Sequence, residues 1–545
     1  MRQRRWQGST TAVVLAMAMT ACAAPRPQLL DGMGPHGCTV STTDAEAQRW
    51  FDQGLMLCYG FNHDEGERSF ATAAELDPQL AMAFWGQAYA AGPNYNLPLD
   101  EARGRRAWAA IERARALASH ATQKERDLIE ALATRFDDPP SPERAHLDRA
   151  YADSMGRLWA KYPDDTDIGV LYADALLNLS PWDQWTKDGR PKANTETVVA
   201  TLERVLQLDP NHPGAIHYYI HTMEASPWPE RAEGPADRLG ALAPGLGHLV
   251  HMPSHIYVQT GRFADSIECN RKASQVDVDY FARAGQQGIY HTYHAHNDHF
   301  LIWSAMFAGR YEEALQGCRD LVAHLPEAFH GDPAVAEWLV TDAHVHVRFG
   351  KWNEVLAMDS PRQDQPYALA MWHFARGVAL ANLGRIDEAR QEQQAFEREA
   401  VKVPAEQMVF IVPAQDVLAV GREMMAGEIA YKAGDVAAGF RHLRAAVAAE
   451  DALRYSEPNP WMMPVRHALG ALLLEQGQVA EAERCYREDL AHYPGNGWSL
   501  NGLAECLERR DAVAEAATVR AQFERAWADA TVSICGSCFC RTGDE

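Results

Sequence analysis

Histidines are the residues in this chain with the clearest capacity for chemistry. Ten of the 22 lie between His212 and His299. Three groups stand out: His217 and His221 with Glu224, then His248, His251 and His255, then His291, His294, His296 and His299. On an α-helix each residue turns by about 100°. His217, His221 and Glu224 then share one face, as do His248, His251 and His255. Imidazoles at i and i+4 on one face can reach the same divalent ion. The spacing 251 − 217 is 34 residues, and so is 255 − 221. The two pairs therefore occupy equivalent slots of a repeat. Counting back from Gly309, which stands where Gly261 stands, His299 matches His251 and His296 matches His248, while Trp303 takes the slot of His255 and His344 fills it in the following repeat. The expected metal-ligand set is His217, His221, Glu224, His248, His251, His255, His296 and His299. Imidazole-rich ligation favours zinc, copper or iron over magnesium or calcium. The competing reading of each single histidine is a satisfied polar group or a contact to a bound peptide.

The elements that must position these residues are paired helices. From Gly54, a small residue recurs at Gly66 and Ala73, a large one at Phe70 and a proline at Pro78. The frame returns from Gly470 through Ala482, Tyr486, Asp489 and Pro494, and from Gly377 and Gly427. A further pair follows Pro494 with Ala504, Ala516 and Phe523 in frame. Turn signals such as Ala308-Gly-Arg-Tyr-Glu-Glu-Ala314 separate the helical stretches. Two antiparallel helices approach closely only where a small residue allows it, and a large neighbour fills the gap beside it. These offsets resemble the tetratricopeptide repeat. The resemblance implies an all-α fold, a tetratricopeptide-type helix-turn-helix superhelix (an α-solenoid), whose first helices line a concave groove that takes a peptide or protein partner.

The domain reading is a signal peptide over 1–21, a flexible tether over 22–44 and an amino-terminal repeat over 45–98. An irregular helical segment over 99–196 follows, then histidine-rich repeats over 197–310, carboxy-terminal repeats over 311–530 and a cysteine-rich tail over 531–545. The aromatic stretch 181–190 reads as a surface loop with buried tryptophans or as a cover on the array. Pro253 interrupts the helix that carries His251 and His255.

Arg2, Arg4 and Arg5 precede an apolar run that is too short to span a bilayer. It ends in Met19-Thr20-Ala21-Cys22, which resembles a bacterial lipobox except that Met19 replaces the usual Leu. The resemblance implies cleavage before Cys22, lipidation of its thiol and anchorage on the periplasmic side, at the outer membrane. The lipid is the only membrane attachment expected. A net charge of −23 argues against non-specific nucleic-acid binding. Nine cysteines follow Cys22, an odd number, so at least one thiol is unpaired or bonded outside the chain. Cys535, Cys538 and Cys540 read as a disulfide or redox-labile thiols, with soft-metal ligation as the alternative.

Phe61-Asn-His-Asp-Glu65, Gly214-Ala-Ile-His-Tyr-Tyr-Ile-His221, the stretch from Gly247 to Tyr257 and the cysteine-rich end resemble a group of exported bacterial tetratricopeptide lipoproteins with no assigned activity. Two functions of different class follow from these observations. One is a membrane-anchored scaffold with a histidine-lined groove that binds a partner and a transition metal. The other is a metal-dependent oxidoreductase or hydrolase in the same groove. There Glu224 would be a ligand or a general base, the one candidate catalytic residue.

Overall fold

A computed structural model describes residues 27–285 and 288–541. The leader and Cys22 lie outside the described residues. The chain divides into two compact units. The first holds residues up to Thr222, with Ala241–Leu246 and Val278–Gly288. The second holds Met223–Gly240, Gly247–Asp277 and the chain from Ile289 onward. No helix among the described residues is long and apolar enough to cross a membrane.

The first unit opens with the helix pair Ala45–Tyr59 and His63–Leu76, followed by Ala81–Ala91. Asp44 caps the first helix by accepting from the Glu46 and Ala47 amides, and Asn62 caps the second. The repeat offsets work as expected. A Cβ added at Gly54 would stand 2.7 Å from the Phe70 ring, and one added at Gly86 2.4 Å from it. Phe70 is thus clamped between two helix backbones that lack side chains at those points, with Phe51 tilted against it at 5.2 Å. The stretch 99–196, read as helices with loops, holds the helices Glu101–Ala116, Gln123–Ala133, Ala145–Lys161 and Thr166–Leu177. Thr122 and Glu125 form a reciprocal capping box.

The stretch read as a flexible tether is instead fastened to the first unit over 27–44. It contains no helix. The Leu30 amide donates to Gln53, the Cys38 amide to Asp52 and the Ser41 amide to Glu125. Gly32 accepts from the Gly245 amide. Polar side chains placed opposite exposed backbone do the fastening, and glycine content alone does not reveal them.

The second unit repeats the helix pair. Its pairs include Tyr290–Phe307 with Tyr311–His324, Pro366–Asn382 with Ile386–Ala400, Ala414–Lys432 with Val436–Ala452, Val465–Glu475 with Val479–His492, and Gly497–Arg509 with Val513–Ala526. Tyr486 is clamped as Phe70 is, by Gly470 and Gly502. Gly309 and Gly477 turn the chain between paired helices at φ +70° and +71°, a backbone that costs a side-chain-bearing residue about 1–2 kcal/mol. A buried polar staple joins Val465–Glu475, Val479–His492 and the start of Gly497–Arg509. Asp489 accepts from His467 at 2.8 Å, Ser499 at 2.6 Å and Asn496 at 3.0 Å. Burial raises its carboxyl, but these three donors outweigh it and hold the carboxyl below its ordinary range. The one β-hairpin among the described residues pairs Met408–Val409 with Val412–Pro413.

Candidate metal centre

The centre lies in the second unit. His251 ends the short helix Gly247–His251, and His255 lies in the next, Pro253–Gln259. Pro253 splits the helix, as expected, but Met252 keeps right-handed helical angles between the halves. The i, i+4 geometry survives, and the His251 and His255 Nε2 atoms stand 2.9 Å apart with their rings at 86°. His296, from Tyr290–Phe307, brings its ring centroid to 4.9 Å from His251 and 5.6 Å from His255. One nitrogen from each of the three falls within 4.8 Å of the others.

The opposite edges of two of these rings decide what the meeting point can hold. His251 Nδ1 lies 2.5 Å from Asn270 Oδ1, whose amide nitrogen donates to the Ser266 carbonyl at 2.8 Å. With that nitrogen committed, the Asn270 oxygen faces the ring and accepts a proton from Nδ1. His255 Nδ1 lies 2.8 Å from Glu224 Oε2 and 2.7 Å from Glu457 Oε2. Its proton, too, is drawn to Nδ1. Both Nε2 atoms then present lone pairs to one another. Lone pairs at that range repel unless a cation, either a proton or a metal ion, lies between them. Outer partners that fix the tautomer in this way are the usual support of metal-ligating imidazoles.

His251, His255, Glu224 and Glu457 are buried, and His296 is partly exposed. Burial pushes the Glu224 and Glu457 carboxyls up from their ordinary values. Burial would lower His255, but the two carboxylates reverse this and push it up to about 10.

The other expected ligands are placed as follows. His217 and His221 belong to the first unit. His217 Nδ1 donates to the Tyr59 carbonyl at 2.6 Å, and its ring lies 4.8 Å from that of His221. Phe61 packs on both rings, and Tyr95 and Trp182 pack on His221. The aromatic loop thus lays Trp182, at φ +59°, over His221. His248 packs on Tyr293 at 4.8 Å. His299 stacks on Phe410, which holds φ +53° at the tip of the hairpin. Burial lowers His299 to about 4. His344 lies 3.4 Å from Glu337 Oε1, and Tyr367 donates to Glu337 Oε2 at 2.6 Å. Seven of the eight expected ligands are buried where an open histidine-lined surface was expected, because Trp182 and Phe410 close over two of them and tertiary packing covers the rest.

No known family profile matches this chain, and no curated protein does. Solved structures give distant likenesses. The human IFIT1 dimer with m7Gppp-AAAA is 12% identical, with 90% of this chain and 91% of that chain covered and a TM-score of 0.33. The APC/C hetero-tetramer Cut9–Hcn1 is 14% identical, covering 85% and 76%, at 0.31. Yeast Tom70 is 10% identical, covering 88% and 90%, at 0.31. Scores of this size carry no argument about this chain's chemistry or partners.

Sequence reasoning missed Asn270 and Glu457. Asn270 had a signal, an amide on the core face of Phe263–Ala284. Glu457 had none, because it sits in a loop about two hundred residues away with no periodicity to place it. Two further clusters use histidine without the same geometry. In the first unit Tyr59, His36 and His212 converge on Asp167 Oδ1 at 2.7, 3.1 and 3.3 Å. His212 Nδ1 accepts from the Ala215 amide, so its Nε2 keeps the proton and faces the carboxylate as a donor. That fits a structural anchor for His36, not a ligand set. In the second unit His324 pairs with Asp298 at 2.7 Å and stacks on His294 at 4.1 Å. Near-parallel rings direct their lone pairs along parallel lines, which suits one shared ion poorly. At the carboxy-terminal end Cys538 and Cys540 are disulfide-bonded, and Cys535 is an exposed thiol.

Proposed function

We propose that this chain is a tetratricopeptide-type binding protein carrying a transition-metal centre in its second unit. His251, His255 and His296 are the ligands, and Asn270, Glu224 and Glu457 orient two of them. The observation that carries this reading is the 2.9 Å approach of two Nε2 atoms whose Nδ1 protons are already committed. Three imidazoles suit zinc, copper or iron once the ion displaces the proton that Glu224 and Glu457 favour on His255. The tetratricopeptide-type scaffold supplies a surface for a peptide or protein partner.

A second reading, a metal-dependent enzyme, draws on the donor set itself. Three imidazoles leave a coordination position open, and the partly exposed His296 marks the side from which it is reached. At the three-imidazole site Glu224 acts through His255.

Elemental analysis of untagged protein tests the centre. At least one zinc, copper or iron per chain is expected after reconstitution, and the content should fall by one ion per chain in His251→Ala/His296→Ala. Protein that stays metal-free with all three metals would sink the proposal.

The address of the protein is part of the same reading and rests on sequence alone: export, lipidation at Cys22 and attachment at the periplasmic face of the outer membrane. Cys22→Ala, expressed in a bacterial host with its leader, is expected to lose labelled palmitate and move to the soluble fraction. Retention in the membrane fraction with no label in either protein would contradict it.

A further inference from the structure

The geometry points to a second ion in this centre, held on the far edge of the His255 ring by Glu224 and Glu457 and joined to the first through that ring as a bridging imidazolate. This rests on the metal reading above. His255 Nε2 faces His251, while Nδ1 faces two carboxylate oxygens at 2.8 and 2.7 Å. A ring Nδ1–H is a single donor along a single line. Two carboxylate oxygens at equally short range share that one hydrogen.

The carboxylates are brought there by separate parts of the second unit. Glu224 follows the helix Pro213–Met223, and Glu457 sits in the loop before Val465–Glu475. Their side chains and that of His255 are each 1% exposed. Glu457 Oε1 is occupied by the Tyr455 hydroxyl and the Gln259 amide, which turns Oε2 toward the ring. The nitrogen and the two oxygens lie within 4.8 Å of one another. One imidazole nitrogen with two carboxylates is a donor set for a divalent ion at about 2.0–2.2 Å, and it is richer in oxygen than the three-imidazole set at the other edge.

The step balances without a redox change. As the second ion binds, the Nδ1–H bond breaks, the proton leaves to solvent and the nitrogen lone pair forms the new metal bond. The imidazolate and two carboxylates then supply three negative charges to two divalent ions, in a buried place where unbalanced charge is costly. Without an ion, the same short contacts require a proton shared among the ring and the carboxylates, and stoichiometry separates the two cases.

The test uses the untagged full chain saturated with zinc and then freed of excess metal. Two ions per chain are expected, falling to one in Glu224→Gln and in Glu457→Gln. These isosteric variants are checked for fold by circular dichroism. Loaded with copper(II), the native chain should show a depressed doublet and a half-field line from exchange across the ring. Glu457→Gln should restore the full one-copper doublet. One ion per native chain with an uncoupled doublet overturns this inference and leaves the three-histidine centre standing. Two ions without exchange overturn the bridge. No ion at all removes both.

Discussion

His255→Ala is expected to abolish metal binding and to destabilise the protein by about 3–5 kcal/mol, the usual cost of removing one partner from a buried charged cluster. No other substitution in the centre should do both. His255 meets the other two imidazoles through one nitrogen and Glu224 and Glu457 through the other. Its loss therefore removes a ligand and also leaves two buried carboxylates facing a void without their shared partner. The two effects can be separated. In His255→Ala/Glu224→Gln/Glu457→Gln the carboxylates become neutral amides, so denaturant midpoints should recover much of the loss while metal stays absent. Asn270→Leu makes the complementary case. It removes the acceptor for His251 Nδ1 and should weaken metal affinity about 10–100-fold, as losses of such outer partners do. Metal content that survives in His255→Ala would show that the imidazole meeting point is only a hydrogen-bonded core.

The repeat frame was legible because helix pairs impose it locally. Small and large residues must alternate at fixed offsets wherever two backbones touch, and Gly54, Phe70, Gly470 and Tyr486 carry that pattern openly. The same frame placed His251 and His255 on one helix face despite Pro253, since the helical angles at Met252 are a local matter. What it did not give is which imidazoles share a point. His248 and His299 occupy the repeat slots of His296 and His251, yet one packs on Tyr293 and the other under Phe410. Those contacts depend on a hairpin and on side-chain directions that a period of 34 residues does not encode. Glu457 was invisible for the same reason. A loop residue reaches the centre through tertiary folding alone, and nothing in Tyr455-Ser-Glu-Pro distinguishes it from a solvated turn. The burial of the histidines follows from covering segments: Trp182 in one unit, from an aromatic stretch for which a cover was one of two readings, and Phe410 in the other, which carried no such signal.

Gly86→Ala is the sharpest test of the repeat packing, because two principles give it opposite signs. Glycine inside a helix costs about 1 kcal/mol relative to alanine, so at an unconstrained site the substitution would stabilise. Here the added Cβ would stand 2.4 Å from a Phe70 ring that is fully buried and already held from the other side by Gly54. The ring has no room to retreat, since Phe51 closes the third side at 5.2 Å. Overpacking of this kind costs about 1–3 kcal/mol, and with a backbone-to-ring approach this short the upper end should prevail over the propensity gain. Phe70→Ala should cost about 3–5 kcal/mol by leaving a cavity between the same backbones. If the clamp is real, the two sites are coupled. Gly86→Ala/Phe70→Leu should then lose less than the sum of its single variants by about 0.5–3 kcal/mol in a denaturant double-mutant cycle. Strict additivity, or a Gly86→Ala protein more stable than the native one, would mean that the small-residue offsets mark helix spacing without the ring that is supposed to fill it.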